Sequence, residues 1–208
     1  MTPPEGLPPD NVFINCPFDD AYQPIFEALV FTIYACQFRP RSAREIDDGS
    51  QMRMEKIYHL VEDCRYGVHD LSRTELSAET GLPRFNMPLE LGVFLGAKRF
   101  GDDQQRLKRA LLLDRDPFRY QRFISDLAGL DIHSHGSDPE AAIRELRDWL
   151  ANVSRRQLPG SRHLIEWHRR FRQDLPEIAQ ELGFGDEHLP YVDFERIAAR
   201  WLARAPAN

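Results

Sequence analysis

Glu90 is a carboxylate set into an otherwise apolar stretch, Asn86-Met87-Pro88-Leu89-Glu90-Leu91-Gly92-Val93-Phe94-Leu95-Gly96. Asn86 and Glu90 are four residues apart, so a helix starting at Asn86 places both on one face. That face can present an amide and a carboxylate to a cleft. A Glu near a helix N-terminus is also tolerated simply because the helix dipole favours negative charge there. The functional alternative is a carboxylate in a partly apolar pocket, where burial shifts its proton affinity.

Other groups with chemical potential cluster where apolar runs end. Asn15, Cys16, Phe18 and Asp19 follow the run Val12-Phe13-Ile14, and Asp70 and Ser72 follow Tyr66 to His69. Asp, Asn and Ser at such points also serve ordinary turn chemistry. Arg39, Arg41, Arg44 and Arg53 add local positive charge suited to phosphates. Two rival sets are weaker. Asp131, His133 and His135 alternate as metal ligands on a strand would, without a partner motif. Cys16 and His69 form a conceivable nucleophile and base. Neither a G-x-G-x-x-G turn nor a Walker A segment is present, which disfavours a standard dehydrogenase or P-loop enzyme.

The elements that must hold these groups follow from hydrophobic periodicity. Val12–Ile14, Tyr66–Asp70 and a run closing at Asp114 predict core strands, and 37–44 predicts an edge strand. Helices are expected over 21–36, 51–63 with Ser50 as cap, from Asn86 onward, 139–153 with Asp138 as cap, from Ser161 onward, and 193–203. Pro176 should kink or split the helix beginning at Ser161. Past Asp114 the pattern reads as helical. Strands alternating with helices predict an α/β fold, a parallel sheet with helices on both faces and an α-helical C-terminal extension. Ligands in such sheets sit beyond the carboxyl ends of the strands, so Asn15, Phe18, Asp19, Asp70, Ser72, Asn86 and Glu90 should converge. The expected organisation is a flexible tail over 1–10, the α/β domain over 11–154 and the helical extension over 155–208. The stripe Leu164, Phe171, Ile178 and Leu182 should pack on the sheet's helices or on a second copy, making a homo-oligomer a candidate state.

Composition narrows the class. The 208 residues carry a net charge of −6, which argues against bulk nucleic-acid binding. No apolar run reaches the roughly 18 residues of a membrane span, and the first ten residues lack a signal peptide's charged and apolar regions, so a cytoplasmic protein is expected. The three cysteines form no C-x-x-C pair and read as buried free thiols; no metal is expected.

The segments VFINCPFDDAY at 12–22, YGVHDLSR at 66–73 and FNMPLELG at 85–92 resemble the nucleoside 2-deoxyribosyltransferase and TIR-like superfamily. The resemblance implies a flavodoxin-like fold and places that group's essential glutamate on Glu90, its helix-start Asn on Asn86 and its strand-end Asp on Asp70. It covers roughly 11–115. The transferases usually carry more acidic residues just before the helix, whereas this chain has Gly81-Leu82-Pro83-Arg84-Phe85. The implied activity is cleavage of an N-glycosidic bond in a nucleotide or nucleoside. The sparse acidic set tilts this towards NAD hydrolysis, because nicotinamide leaves a pyridinium as a neutral molecule and needs no acid. Glu90 and Asp70 are then the catalytic pair, with Asp70 on ribose hydroxyls. Phe18 and Phe85 are candidates to stack on a base, with Asn15, Asp19, Ser72, Asn86 and Arg53 also contacting substrate. No cofactor is implied; NAD enters as substrate. Many bacterial members of the group act in antiviral defence. The opposing expectation is a non-catalytic nucleotide-binding or signalling module built on the same cleft.

Overall fold

The computed structural model describes residues 10–45, 48–74, 76, 81, 84–184 and 189–204. The expected N-terminal tail apart from Asp10, and much of the loop before Arg84, lie outside them. Five parallel strands form one sheet in the order β2-β1-β3-β4-β5: β1 (Asn11–Asn15), β2 (Arg39–Arg41), β3 (Tyr66–Asp70), β4 (Arg109–Asp114) and β5 (Ile132–Ser134). This is the flavodoxin-like order, and its topological switch point lies between β1 and β3. There Asn15 pairs with His69, one residue short of the end of β3.

β1 and β3 are buried along their whole length, as both faces of the sheet are covered. Alternate residues serve different layers. Val12, Ile14, Val68, Leu111 and Leu113 pack with α1 (Gln23–Ala35) and α4 (Pro139–Ser154). Phe13 packs with α2 (Arg53–Asp63) and with Phe94 of α3 (Asn86–Phe100) on the other face. Leu112 joins Met87 and Leu91 of α3. Lys108, at the opposite edge from the strand ends of interest, is fully buried; it donates to the carbonyls of Val61 and Cys64 and so closes the end of α2.

Four local expectations need correction. Ser50 does not cap α2: its N–H and hydroxyl both turn to Asp48 Oδ1, at 2.9 and 2.7 Å, and the helix starts at Arg53. Pro176 does not split α5, which runs Ser161–Glu181. The proline is exposed, so the Arg172 carbonyl that it leaves without a partner N–H belongs to a solvated surface, and burial on both sides of it holds the helix together. The segment after Asp114 is not wholly helical, because β5 adds a three-residue edge strand. The last helix, α6, is longer than expected, Tyr191–Arg204.

α5 and α6 form a further layer on α1. Leu164, Phe171, Phe194 and Ile197 belong to the same core cluster as Val12 and Ile14. The α5 stripe is therefore covered within the chain, apart from Leu182, which is 52% exposed. Among the described residues no helix is long and apolar enough to cross a membrane.

Candidate functional site

The carboxyl ends of β1 and β3 bring three segments together. β1 ends at Asn15 and is followed by buried Cys16 and partly buried Phe18 and Asp19. β3 ends at Asp70, followed by Ser72 and Arg73, and α3 starts beside them. Asn15 joins the pieces: its amide donates to the Met87 carbonyl of α3 at 2.9 Å and to His69 Nδ1 of β3 at 3.0 Å. It is 2% exposed, so both amide hydrogens serve the protein. His69 in turn packs against Phe94, and Gly67 leaves room for both, since a Cβ there would lie 2.6 Å from His69 Nε2. Burial holds the His69 imidazole down to about 3, with Lys108 adding to the effect, so the ring is neutral.

Asp70 is fully buried and fully bonded. Oδ2 accepts from the Tyr22 hydroxyl at 2.7 Å and bonds His135 Nε2 at 2.9 Å, while Oδ1 accepts from the Ser72 N–H at 2.8 Å. The Ser137 N–H donates to His135 Nδ1, which assigns the ring hydrogen to Nε2, where it faces both Asp70 and Ser72 Oγ. Burial alone would raise the Asp70 carboxyl; the bonds from His135, Ser72 and Tyr22 outweigh it and hold the group below the ordinary carboxylate range.

Glu90 differs in every respect but burial. It is 4% exposed, and Arg53 Nη2 lies 3.4 Å from its Oε1. Arg53, whose side chain is 55% exposed, sits over it. Burial raises the Glu90 carboxyl above its ordinary value, and Arg53 offsets only part of the effect. The Cys16 thiol lies within electrostatic reach of Asp70, Arg44, Glu90 and Asp19, which ties these groups to one region. Burial, reinforced by Asp70, pushes that thiol well up, so Cys16 is no thiolate nucleophile.

The aromatic and charged candidates are distributed around this centre. Phe18 meets Phe26 edge-on and lies under the Arg44 guanidinium, 5.5 Å from the ring centre. Phe85, at the start of α3, is 60% exposed, and Asn86 beside it is exposed. Asp19 is paired with Arg73 and Arg84. Of the four arginines singled out for phosphates, Arg41 is bound to Glu45 and Asp63, Arg39 is exposed at the start of β2, Arg44 covers Phe18 and Arg53 covers Glu90. At the end of β4, Asp114 Oδ1 accepts from Arg119 and from the Arg115 N–H.

Tyr22 and His135 are the partners that sequence reasoning missed. Tyr22 lies inside the segment VFINCPFDDAY, where nothing local marks it as a partner of Asp70. His135 was weighed as a metal ligand; it is instead bound to Asp70, while His133 is bound to Glu145 at 2.6 Å. Among the described residues no group of three or more His, Cys, Asp or Glu is arranged to hold a metal ion.

A carboxylate with three donors is costly to neutralise. Asp70→Asn is expected to lose about 2 kcal/mol of stability at neutral pH, since charge-assisted bonds weaken and the new amide must face a donor. The sign with pH follows from the lowered carboxyl. The wild-type advantage is present above the unfolded value and disappears as pH falls through the folded one. Urea melts of both proteins at neutral and acid pH measure it; an equal stability at pH 7 would show the network to be unimportant.

Comparison with protein-family models, curated proteins and solved structures finds no match for this chain.

Proposed function

We propose that the protein cleaves an N-glycosidic bond in a nucleotide or nucleoside, with NAD the preferred substrate. The observation that supports this most is Glu90: a buried carboxylate beside the switch point, held among the described residues by one half-exposed arginine. N-glycoside cleavage passes through an oxocarbenium-like state. A carboxylate set beneath the anomeric carbon stabilises that cation, and low dielectric strengthens the effect. With NAD, the carbon–nitrogen bond breaks with its electron pair going to nicotinamide, which departs neutral. Water then bonds to the anomeric carbon and releases one proton, giving ADP-ribose. Asp70 acts here as a positioning residue. Its oxygens are taken by Tyr22, His135 and Ser72, so it holds the shape of the site. The resemblance to TIR-like proteins adds a role as a bacterial immune effector to this reading.

A non-catalytic nucleotide-binding module is favoured by one observation, the Arg53–Glu90 ion pair, which partly neutralises the carboxylate. Incubation with NAD and with nucleosides, followed by chromatography for nicotinamide or free base, separates the two. Released base supports cleavage; binding without release supports the module.

Cleavage needs Glu90 ionised. Because burial raises its carboxyl above the ordinary 4.5, activity should rise with pH along an acid limb centred above that value. A pH profile of kcat/KM reads the limb directly. A midpoint at or below 4.5 would contradict the assignment of that limb to Glu90.

A further inference from the structure

α3 is apolar on nearly every side. Between Met87 and Ala97 its one polar side chain is Glu90, and that carboxylate is buried. Met87, Leu91 and Phe94 pack on the sheet. At 3.6 residues per turn, Phe85, Leu89, Gly92, Val93, Gly96 and Phe100 share the opposite face, in a stripe about 100° wide. Phe85, Leu89 and Phe100 are 60%, 55% and 83% exposed. A helix that is apolar all round is ordinarily buried all round. Here half of its apolar surface is left in water. Tyr58 of α2, 46% exposed, borders the same face, where Val61, Val93 and Ala97 help it line a shallow groove of about 270 Å³. A Cβ at Gly92 or Gly96 would meet nothing within 4 Å, so packing inside the chain does not call for glycine there, and glycine weakens a helix.

We propose that this face is an association surface for a second copy of the chain, with the two α3 helices antiparallel and crossing at the notch formed by Gly92 and Gly96. The face is complementary to itself in that register. Phe100 lies about 9 Å past the midpoint of the notch and Leu89 about 7.5 Å before it, so each Phe100 comes level with the partner's Leu89. Charge favours the same direction. α2 runs alongside α3, with Arg53 at Glu90 and Val61 and Glu62 beside Val93 and Ala97. It begins with Arg53, Glu55 and Lys56 and ends with Glu62 and Asp63. An antiparallel two-fold sets the basic start of each α2 against the acidic end of the partner's α2. The area suffices. Taking roughly 200 Å² for an aromatic side chain, Phe85, Phe100 and Tyr58 expose roughly 400 Å². That is about half of the ~800 Å² that each partner buries in a standard interface. Leu89, Val93, the helix backbone at the two glycines and the charged ends of α2 supply the remainder. The α5 stripe, which the chain covers itself, is not this surface. The association is independent of what Glu90 does.

Sedimentation equilibrium of the full chain tests the surface. The wild type is expected to dimerise below about 100 μM, because standard-size interfaces reach micromolar affinity or better. Gly96→Gln fills the notch with a good helix former, and Phe100→Lys removes the end contact while suiting a helix C-terminus. Each is expected to weaken dimerisation by about tenfold or more, while Gly96→Gln, compared with wild type as a dilute monomer, melts at the same temperature or above it. Cross-linking reads the register, since the native cysteines are buried. Val93→Cys lies near the midpoint and should form an intermolecular disulfide on mild oxidation, whereas two copies of Arg99→Cys would sit about 15 Å apart along the helices and should not. A wild type that is still monomeric at about 100 μM overturns the proposal and leaves the face to a different protein. A dimer indifferent to both Gly96→Gln and Phe100→Lys overturns it too, as does cross-linking through Arg99→Cys.

Discussion

Replacement of Glu90 by Gln should lower nicotinamide release from NAD by at least ~10²-fold, the scale of losing one preorganised electrostatic stabiliser. Gln preserves the volume and a hydrogen-bond acceptor for Arg53, so the substitution removes charge and little else. Stability should not fall with activity. Burial raises the Glu90 carboxyl in the folded protein, which means that its ionised form is disfavoured by folding. The sign is opposite to that at Asp70: a raised carboxyl contributes stability below its unfolded value and loses it as pH rises through the folded one. At neutral pH the Gln variant is thus expected to melt at the wild-type temperature or above it. Steady-state kinetics and a thermal melt on the same preparation read both halves. Unchanged turnover would remove Glu90 from the chemistry. Loss of turnover with a matching loss of stability would make it a structural group.

The contrast between Glu90 and Asp70 shows where sequence reasoning reaches and where it stops. A carboxylate inside an apolar helix is visible in one dimension, because the neighbours that bury it are its own chain neighbours. The strands β1 and β4 are visible for a related reason: both sheet faces are covered, so Val12-Phe13-Ile14 and Ala110-Leu111-Leu112-Leu113 form continuous apolar runs. β5 is three half-buried residues at the sheet edge, Ile132-His133-Ser134, too short to carry a period. The state of Asp70 depends on Tyr22 and His135, which lie 48 and 65 residues away, and no local pattern encodes those bonds. The arginines behaved likewise. Within the dense run from Arg39 to Arg53, Arg41 is taken up by Glu45 and Asp63, while Arg73 and Arg84, scattered through a loop, meet on Asp19. Charge density along a chain says little about which guanidiniums share a destination.

Phe171→Ala is the substitution expected to cost most in stability, about 3–5 kcal/mol, the range for emptying a fully buried phenylalanine site. Phe171 stacks on Phe31 of α1, with ring centres 5.1 Å apart, and meets Phe194 and Trp201 of α6 at 5.7 Å each. It is therefore the point at which α1, α5 and α6 are joined, and its removal opens a cavity that three elements border. For a chain of this size, each kcal/mol moves the melting temperature by about 2–4 °C, so a fall of roughly 6–20 °C is expected. Leu182→Ala, at the exposed end of the same helix, serves as the control and should change stability by less than ~0.5 kcal/mol. The effect should also reach the strand ends, because Tyr191 of α6 packs on Phe26, and Phe26 packs on Phe18 in the β1–α1 turn. A single cooperative transition shifted downward fits a C-terminal helical layer that shares its core with the sheet. Two transitions, with only the lower one displaced by the substitution, would instead show that α5 and α6 unfold as a unit of their own and that the α/β part stands without them.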